Sequence, residues 1–150
     1  MRNKIYRLIA TVFGIGYSPV APGTMGSLAG LGLCLLLHKY TALYILVFLA
    51  LFASGVIVSK RIEKEAGEKD PSFIVIDEFA CILIAFLFVP IRPMILITGF
   101  AIYRFIDISK IFPLKRLERL SGGWAVMLDD LAAGIYTNLA LQVLISLRVL

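Results

Sequence analysis

Three acidic sites interrupt an otherwise apolar chain. They are Asp77-Glu78 in the run Asp-Pro-Ser-Phe-Ile-Val-Ile-Asp-Glu-Phe, Asp107, and Asp129-Asp130 in Gly-Gly-Trp-Ala-Val-Met-Leu-Asp-Asp. Each stands near the end of an apolar segment. A charged side chain in a membrane helix costs about 2.5–3.5 kcal/mol at the bilayer centre and less toward the ends. Several carboxylates converging at a lipid–water boundary suit a hard divalent cation such as Mg²⁺. Adjacent acids on a helix point about 100° apart, so one of a pair binds an ion while the other meets a basic residue or water. A plainer reading is acids favoured by helix dipoles and ion pairs. It explains one pair well and three sites on one face poorly.

Arg104, Asp107 and Lys110 are spaced by three, so neighbours share one side of a helix. They form either a self-neutralising ladder or a phosphate clamp, in which Arg gives planar bidentate contact to phosphate oxygens. The loop from Gly14 to Ser27 holds four Gly and two Pro and runs straight into an apolar segment. Thr24 or Ser27 is placed to cap the helix that follows, and amides at such a helix start attract anions. The loop has no Walker or dinucleotide pattern. Other chemistries drop out. Neither Cys34 nor Cys81 is followed by Arg six positions on, no Asp-x-Asp pair exists, and His38 is the sole histidine. What remains is metal-assisted attack by water, with carboxylates holding the ion.

The elements that must position these groups follow from composition. The chain has 150 residues, enough for one domain over 1–150. It is 60% apolar and only 17% charged, with a mean hydropathy of +0.93. A small soluble globule needs more polar cover than that, so the composition excludes disorder and points to a bilayer as solvent. Five apolar segments, 24–37, 41–59, 73–91, 93–111 and 125–147, approach the roughly 20 residues of a membrane crossing, the first being short. Residues 5–13 carry Ile5, Leu8, Ile9, Val12 and Phe13 at helical spacing beside basic residues, the pattern of an amphipathic helix on an anionic surface. An all-α polytopic bundle of about five spans results. With the N-terminus inside, twelve Lys and Arg face the cytoplasm, and Lys39, Arg92 and Arg148 face out. That orientation puts the loop and all the acids at the cytoplasmic face. The two cysteines read as buried packing residues rather than a disulfide, His38 as an interfacial residue, and the N-terminus lacks a secretory cleavage signal.

The blocks Gly-x-Gly-x-Ser-Pro-x-x-Pro-Gly-Thr-Met-Gly-Ser, Asp-Pro-x-x-Ile-Val-Ile-Asp-Glu-Phe, Tyr-Arg-Phe-x-Asp-x-x-Lys and Gly-Gly-x-x-Val-Met-Leu-Asp-Asp-x-x-Ala-Gly-Ile-Tyr occur in this order over residues 11–140. Together they resemble the phosphatidylglycerophosphatase A family. The resemblance implies an all-helical fold, Mg²⁺ dependence, and hydrolysis of phosphatidylglycerophosphate to phosphatidylglycerol and phosphate. Carried over residue by residue, it implies Asp77, Glu78, Asp107, Asp129 and Asp130 as catalytic positions. Asp77 or Glu78 with Asp129 or Asp130 would be metal ligands. Thr24 and Ser27 match the loop block, and with Arg104 and Lys110 they are the candidates for holding phosphate. The chain departs from the family pattern at Ile111-Phe112-Pro113, where Pro often follows the lysine directly, and at Lys69, where His often precedes Asp-Pro.

Two rival classes make different demands. An ion-coupled transporter subunit also keeps acids in its spans, but spread through membrane depth. A non-catalytic scaffold needs no convergent acids and leaves the Gly/Pro loop without a purpose.

Overall fold

The computed structural model describes residues 2–109 and 122–150, whose regular elements are all helices, with no strand among them. Helix α1 spans Arg2–Ala10, followed by a 3₁₀ turn at Ile15–Tyr17. Then come α2 (Pro22–Leu37), α3 (Thr41–Ala66), α4 (Ile76–Ala85), α5 (Pro93–Ser109) and α6 (Gly123–Ser146). The all-α expectation holds, and every apolar segment contains one helix.

Helix α4 is the centre. Ala80, Cys81, Ile82, Leu83 and Ala85 are fully buried, as suits a helix apolar all round. It packs mainly between α6 and α2, with α3 alongside. Both main partners approach its backbone through glycine. A Cβ on Gly30 of α2 would lie 2.4 Å from the Phe79 carbonyl oxygen, and one on Gly134 of α6 2.6 Å from that of Cys81. Small residues at helix interfaces permit such close approach. Cys34 and Cys81 are buried free thiols. His38 is exposed at the end of α2, with Nδ1 2.7 Å from the Leu35 carbonyl oxygen.

Three expectations are corrected, and the five-span count is not confirmed. The segment 73–91 is not one continuous helix. Its start is held in a turn, with the Ile74 amide bonded to Pro71 O and the Val75 amide to Ala10 O. Its helix stops at Ala85. Ten residues rise only about 15 Å, half of a hydrocarbon core. The side chains of α3 and α6 take up the freed carbonyls. Tyr44 donates to Leu83 O at 2.6 Å, and Asn138 Nδ2 donates to Ile84 O, Ala85 O and Leu87 O at 3.0, 3.2 and 2.8 Å. Gln142 holds Asn138 by donating to its Oδ1 at 2.7 Å. Among the described helices α3 alone, at 26 residues, is long and apolar enough to cross a membrane, which is fewer than the five spans expected.

The N-terminal helix ends at Ala10 rather than 13. The Val12 amide bonds to Ile9 O and the Phe13 amide to Leu8 O, a Schellman cap with Val12 in the left-handed region at φ 47°. The helix is also anchored to α3: Arg7 pairs with Glu65 at 2.8 Å, and the Arg61 guanidinium sits 6.0 Å from the Tyr6 ring centroid. Finally, neither Thr24 nor Ser27 caps α2. Pro22, with its pre-set φ, starts the helix two residues before Thr24, and the capping position falls on Ala21 with no side-chain bond.

Candidate active site

Successive helices from α2 to α6 alternate in direction, and this alternation builds the site. One end of the bundle collects the start of α2, the segment after α3, the start of α4, the end of α5 and the start of α6. A pocket of about 940 Å³ opens there, and Asp77, Glu78, Arg104, Asp107, Asp129 and Asp130 all line it. Lys110 lies outside the described residues.

Asp77 and Glu78 occupy the first turn of α4, where the helix dipole favours negative charge. Asp77, Glu78 and Asp130 each offer a carboxylate oxygen within 4.8 Å of the others. Both members of the Asp77-Glu78 pair therefore join one cluster, although adjacent helical positions diverge. The extra methylene of Glu78 supplies reach that Asp lacks. Asp129 lines the same pocket outside this triad, so the second pair divides as the helical angle implies.

Asp77 and Asp130 are buried, at 6% and 4% exposure, and Glu78 is partly buried. Asp77 Oδ1, Glu78 Oε2 and Asp130 Oδ2 have no hydrogen-bond partner. Three like charges at this spacing in a poorly solvated place repel strongly, and a proton or a cation must offset them. Hard oxygen donors, unsatisfied and convergent, fit a small divalent cation. The cluster is thus able to hold a metal ion.

Arg104 stands beside the triad. It pairs with Asp107 Oδ2 at 2.6 Å, donates to Ser27 Oγ at 3.2 Å and lies 3.9 Å from Glu78 Oε1. Ser27 is fully buried and donates in turn to Gly23 O at 2.9 Å. The expected phosphate-binding serine therefore faces Arg104, and neither it nor Thr24 lines the pocket. The Arg–Asp half of the ladder is real, yet the guanidinium still borders the cavity.

Two features went unread in the sequence. Gly23 belongs to the site because a Cβ there would lie 2.0 Å from Glu78 Oε1 and 3.4 Å from Arg104 Nη2. In the sequence it is one turn-forming glycine among several. Lys69, Asp70 and Ser72 add a polar rim to the pocket. The Asp-Pro break marks that segment as a turn, but nothing in its composition says it folds back over the acids.

Comparison with known proteins bears on what this pocket does. The sequence pattern of "Phosphatidylglycerophosphatase A" matches residues 8–145. The phosphatidylglycerophosphatase A of Escherichia coli is 35% identical over 133 residues, covering 87% of this chain and 77% of that protein. That of Haemophilus influenzae is 38% identical over 138 residues, covering 89% and 84%. A protein of Bacteroides thetaiotaomicron, provisionally named a phosphatidylinositol-3-phosphatase, is 38% identical over 146 residues, covering 91% of each. No solved structure matches the chain with significance. With a family pattern spanning nearly the whole chain and its acidic blocks gathered in one pocket, the chain belongs to the phosphatidylglycerophosphatase A family and is a phosphatase.

Proposed function

We propose that the chain is a Mg²⁺-dependent phosphatase that hydrolyses phosphatidylglycerophosphate to phosphatidylglycerol and inorganic phosphate from within the cytoplasmic membrane. The observation that carries this is the convergent carboxylate triad Asp77, Glu78 and Asp130 beside Arg104 in an open pocket, in a chain of this family. Bound Mg²⁺ would neutralise the phosphate oxygens and make phosphorus a better electrophile. Asp77, Glu78 and Asp130 would hold it. Arg104 turns its fork toward the non-bridging oxygens, steadied by Asp107 and Ser27. Water attacks phosphorus, the bond from phosphorus to the ester oxygen breaks, and the glycerol hydroxyl leaves. Asp129, on the wall outside the triad, takes the proton from the attacking water and hands it to the departing glycerol oxygen, which so leaves as the hydroxyl.

The surface supports a membrane location. Large apolar side chains stand exposed on four helices, among them Leu36 on α2, Leu46 on α3, Ile97 on α5 and Leu139 on α6, each above half exposed. Faces of this kind suit lipid contact. The lipid tails then stay in the bilayer while the headgroup reaches the pocket. A transporter is disfavoured because the acids gather at one end rather than through the depth.

Purified protein in mixed micelles should release phosphate from phosphatidylglycerophosphate, lose that activity in EDTA and regain it with Mg²⁺. Phosphatidylinositol 3-phosphate, tested alongside, should turn over more slowly. Equal or preferential release from the inositol lipid would move the substrate assignment, and release undiminished by EDTA would remove the metal.

A further inference from the structure

Gly23 sits in the first turn of α2, directly after Pro22, and lines the acidic pocket. The space its side chain would fill is taken by Glu78. A Cβ there would lie 2.0 Å from Glu78 Oε1 and 3.0 Å from Glu78 Cδ, with Arg104 Nη2 next at 3.4 Å. Unbonded heavy atoms rest about 3.5 Å apart or more, so this glutamate and a larger residue cannot share the place. The other described glycines whose Cβ would come under 3.0 Å from a neighbour meet backbone or an apolar core side chain, such as Phe79 O at Gly30 and the Phe86 ring at Gly99. Those glycines let helices touch. Gly23 alone meets charged side chains of the site.

A backbone atom has nowhere to go, but a glutamate tip swings on its rotatable bonds. A methyl group at Gly23 would therefore leave the helices in place and move the Glu78 carboxylate. That carboxylate has little room to move and still serve. One of its oxygens lies within 4.8 Å of oxygens of Asp77 and Asp130, and Oε1 lies 3.9 Å from Arg104 Nη1. The start of α2 also favours a negative charge beside it through the helix dipole, so the hollow attracts the carboxylate as well as admitting it.

We infer that Gly23 is a positioning residue: its missing side chain seats the Glu78 carboxylate where it can share a divalent cation with Asp77 and Asp130. The inference rests on the cation site proposed above. Ligand carboxylates are held in place by the groups around them, and disturbing that support weakens metal binding about 10–100-fold.

The test is Gly23→Ala, read by Mn²⁺ binding in electron paramagnetic resonance and by thermal unfolding of metal-free protein. Mn²⁺ affinity should fall about tenfold or more. Metal-free protein should melt at the parent's temperature or above it, because alanine favours a helix over glycine. Gly32→Ala on the same helix, where a Cβ meets nothing within 4 Å, should leave Mn²⁺ affinity at the parent's value. In a Glu78→Asp background the carboxylate stops one methylene short of the hollow, and there Gly23→Ala should cost less than about threefold. Unchanged affinity in Gly23→Ala overturns the inference, as does an equal loss in Gly32→Ala or a full loss in the Glu78→Asp background. Metal-free Gly23→Ala that does not fold overturns it too, because the glycine would then serve packing alone. Parent protein that binds no Mn²⁺ removes the cation site and the inference with it, whereas a loss confined to Gly23→Ala leaves that site standing and supports the inference.

Discussion

Arg104 meets acceptors from three elements, Asp107 on its own helix, Ser27 on α2 and Glu78 on α4. A guanidinium does this because its donors are fixed in a plane; an ammonium at the same place is a point charge with freely rotating donors. Arg104→Lys should therefore keep the charge and lose the geometry. Charge-assisted bonds are worth about 1.5–3 kcal/mol, so kcat/KM toward the lipid monoester should fall about 10–100-fold. If Arg104 only balanced Asp107, that change would be nearly silent and paired Arg104→Gln/Asp107→Asn would recover activity; steady-state kinetics of both variants separate the cases. At this scale charge was legible in the sequence and contact was not. Asp77, Glu78, Asp107, Asp129 and Asp130 stand out because ionised groups are costly in apolar runs. Gly23 does not, because a glycine reads as a turn until the fold sets the Glu78 carboxylate beside it. Thr24 and Ser27 were misread as caps because Pro22 begins the helix earlier than the first hydroxyl.

Helix α4 shows why element boundaries were harder than element existence. The segments 24–37 and 125–147 became helices close to their expected bounds, and that of 41–59 runs on to Ala66, but the run 73–91 stays apolar beyond both ends of its helix. Hydrophobicity reports burial, and a buried irregular stretch is as apolar as a buried helix. What allows the helix to stop at Ala85 lies far along the chain, in Asn138 and Tyr44. Asn138 alone serves three carbonyls, an arrangement that fixes its amide orientation because Oδ1 turned inward would face three acceptors. Asn138→Leu should leave those carbonyls short of donors, each buried group costing about 1–3 kcal/mol. The melting temperature in detergent should drop by about 5 °C or more, and turnover should fall with it, since α4 carries Asp77 and Glu78. Differential scanning fluorimetry with a parallel phosphate-release assay reads both. An unchanged melting temperature would mean that water already satisfies the end of α4.

The alternation of five helices, taken with the charge distribution, gives the molecule a polarity. In the proposed orientation, chain order would put twelve basic residues on the cytoplasmic side and three on the other, the asymmetry expected of a cytoplasmic site. Cysteine labelling checks it, with little interference from the native thiols because Cys34 and Cys81 are buried. A thiol at Lys39→Cys should react with a membrane-impermeant maleimide in intact cells, and one at Lys64→Cys only after permeabilisation. The reverse pattern inverts the orientation.

The way α4 ends also bears on permeability. In its last turns Ile82, Leu83 and Ala85 are fully buried, and Tyr44 and Asn138, the latter held by Gln142, close the carbonyls behind them. A second, smaller cavity of about 70 Å³ lies at His38 and Phe86–Val89, and no residue lines both it and the acidic pocket. On the proposed function, headgroup, water and phosphate would all pass through the acidic mouth, and hydrolysis would need no path between the two ends of the bundle, so turnover would leave a proton gradient across the membrane intact.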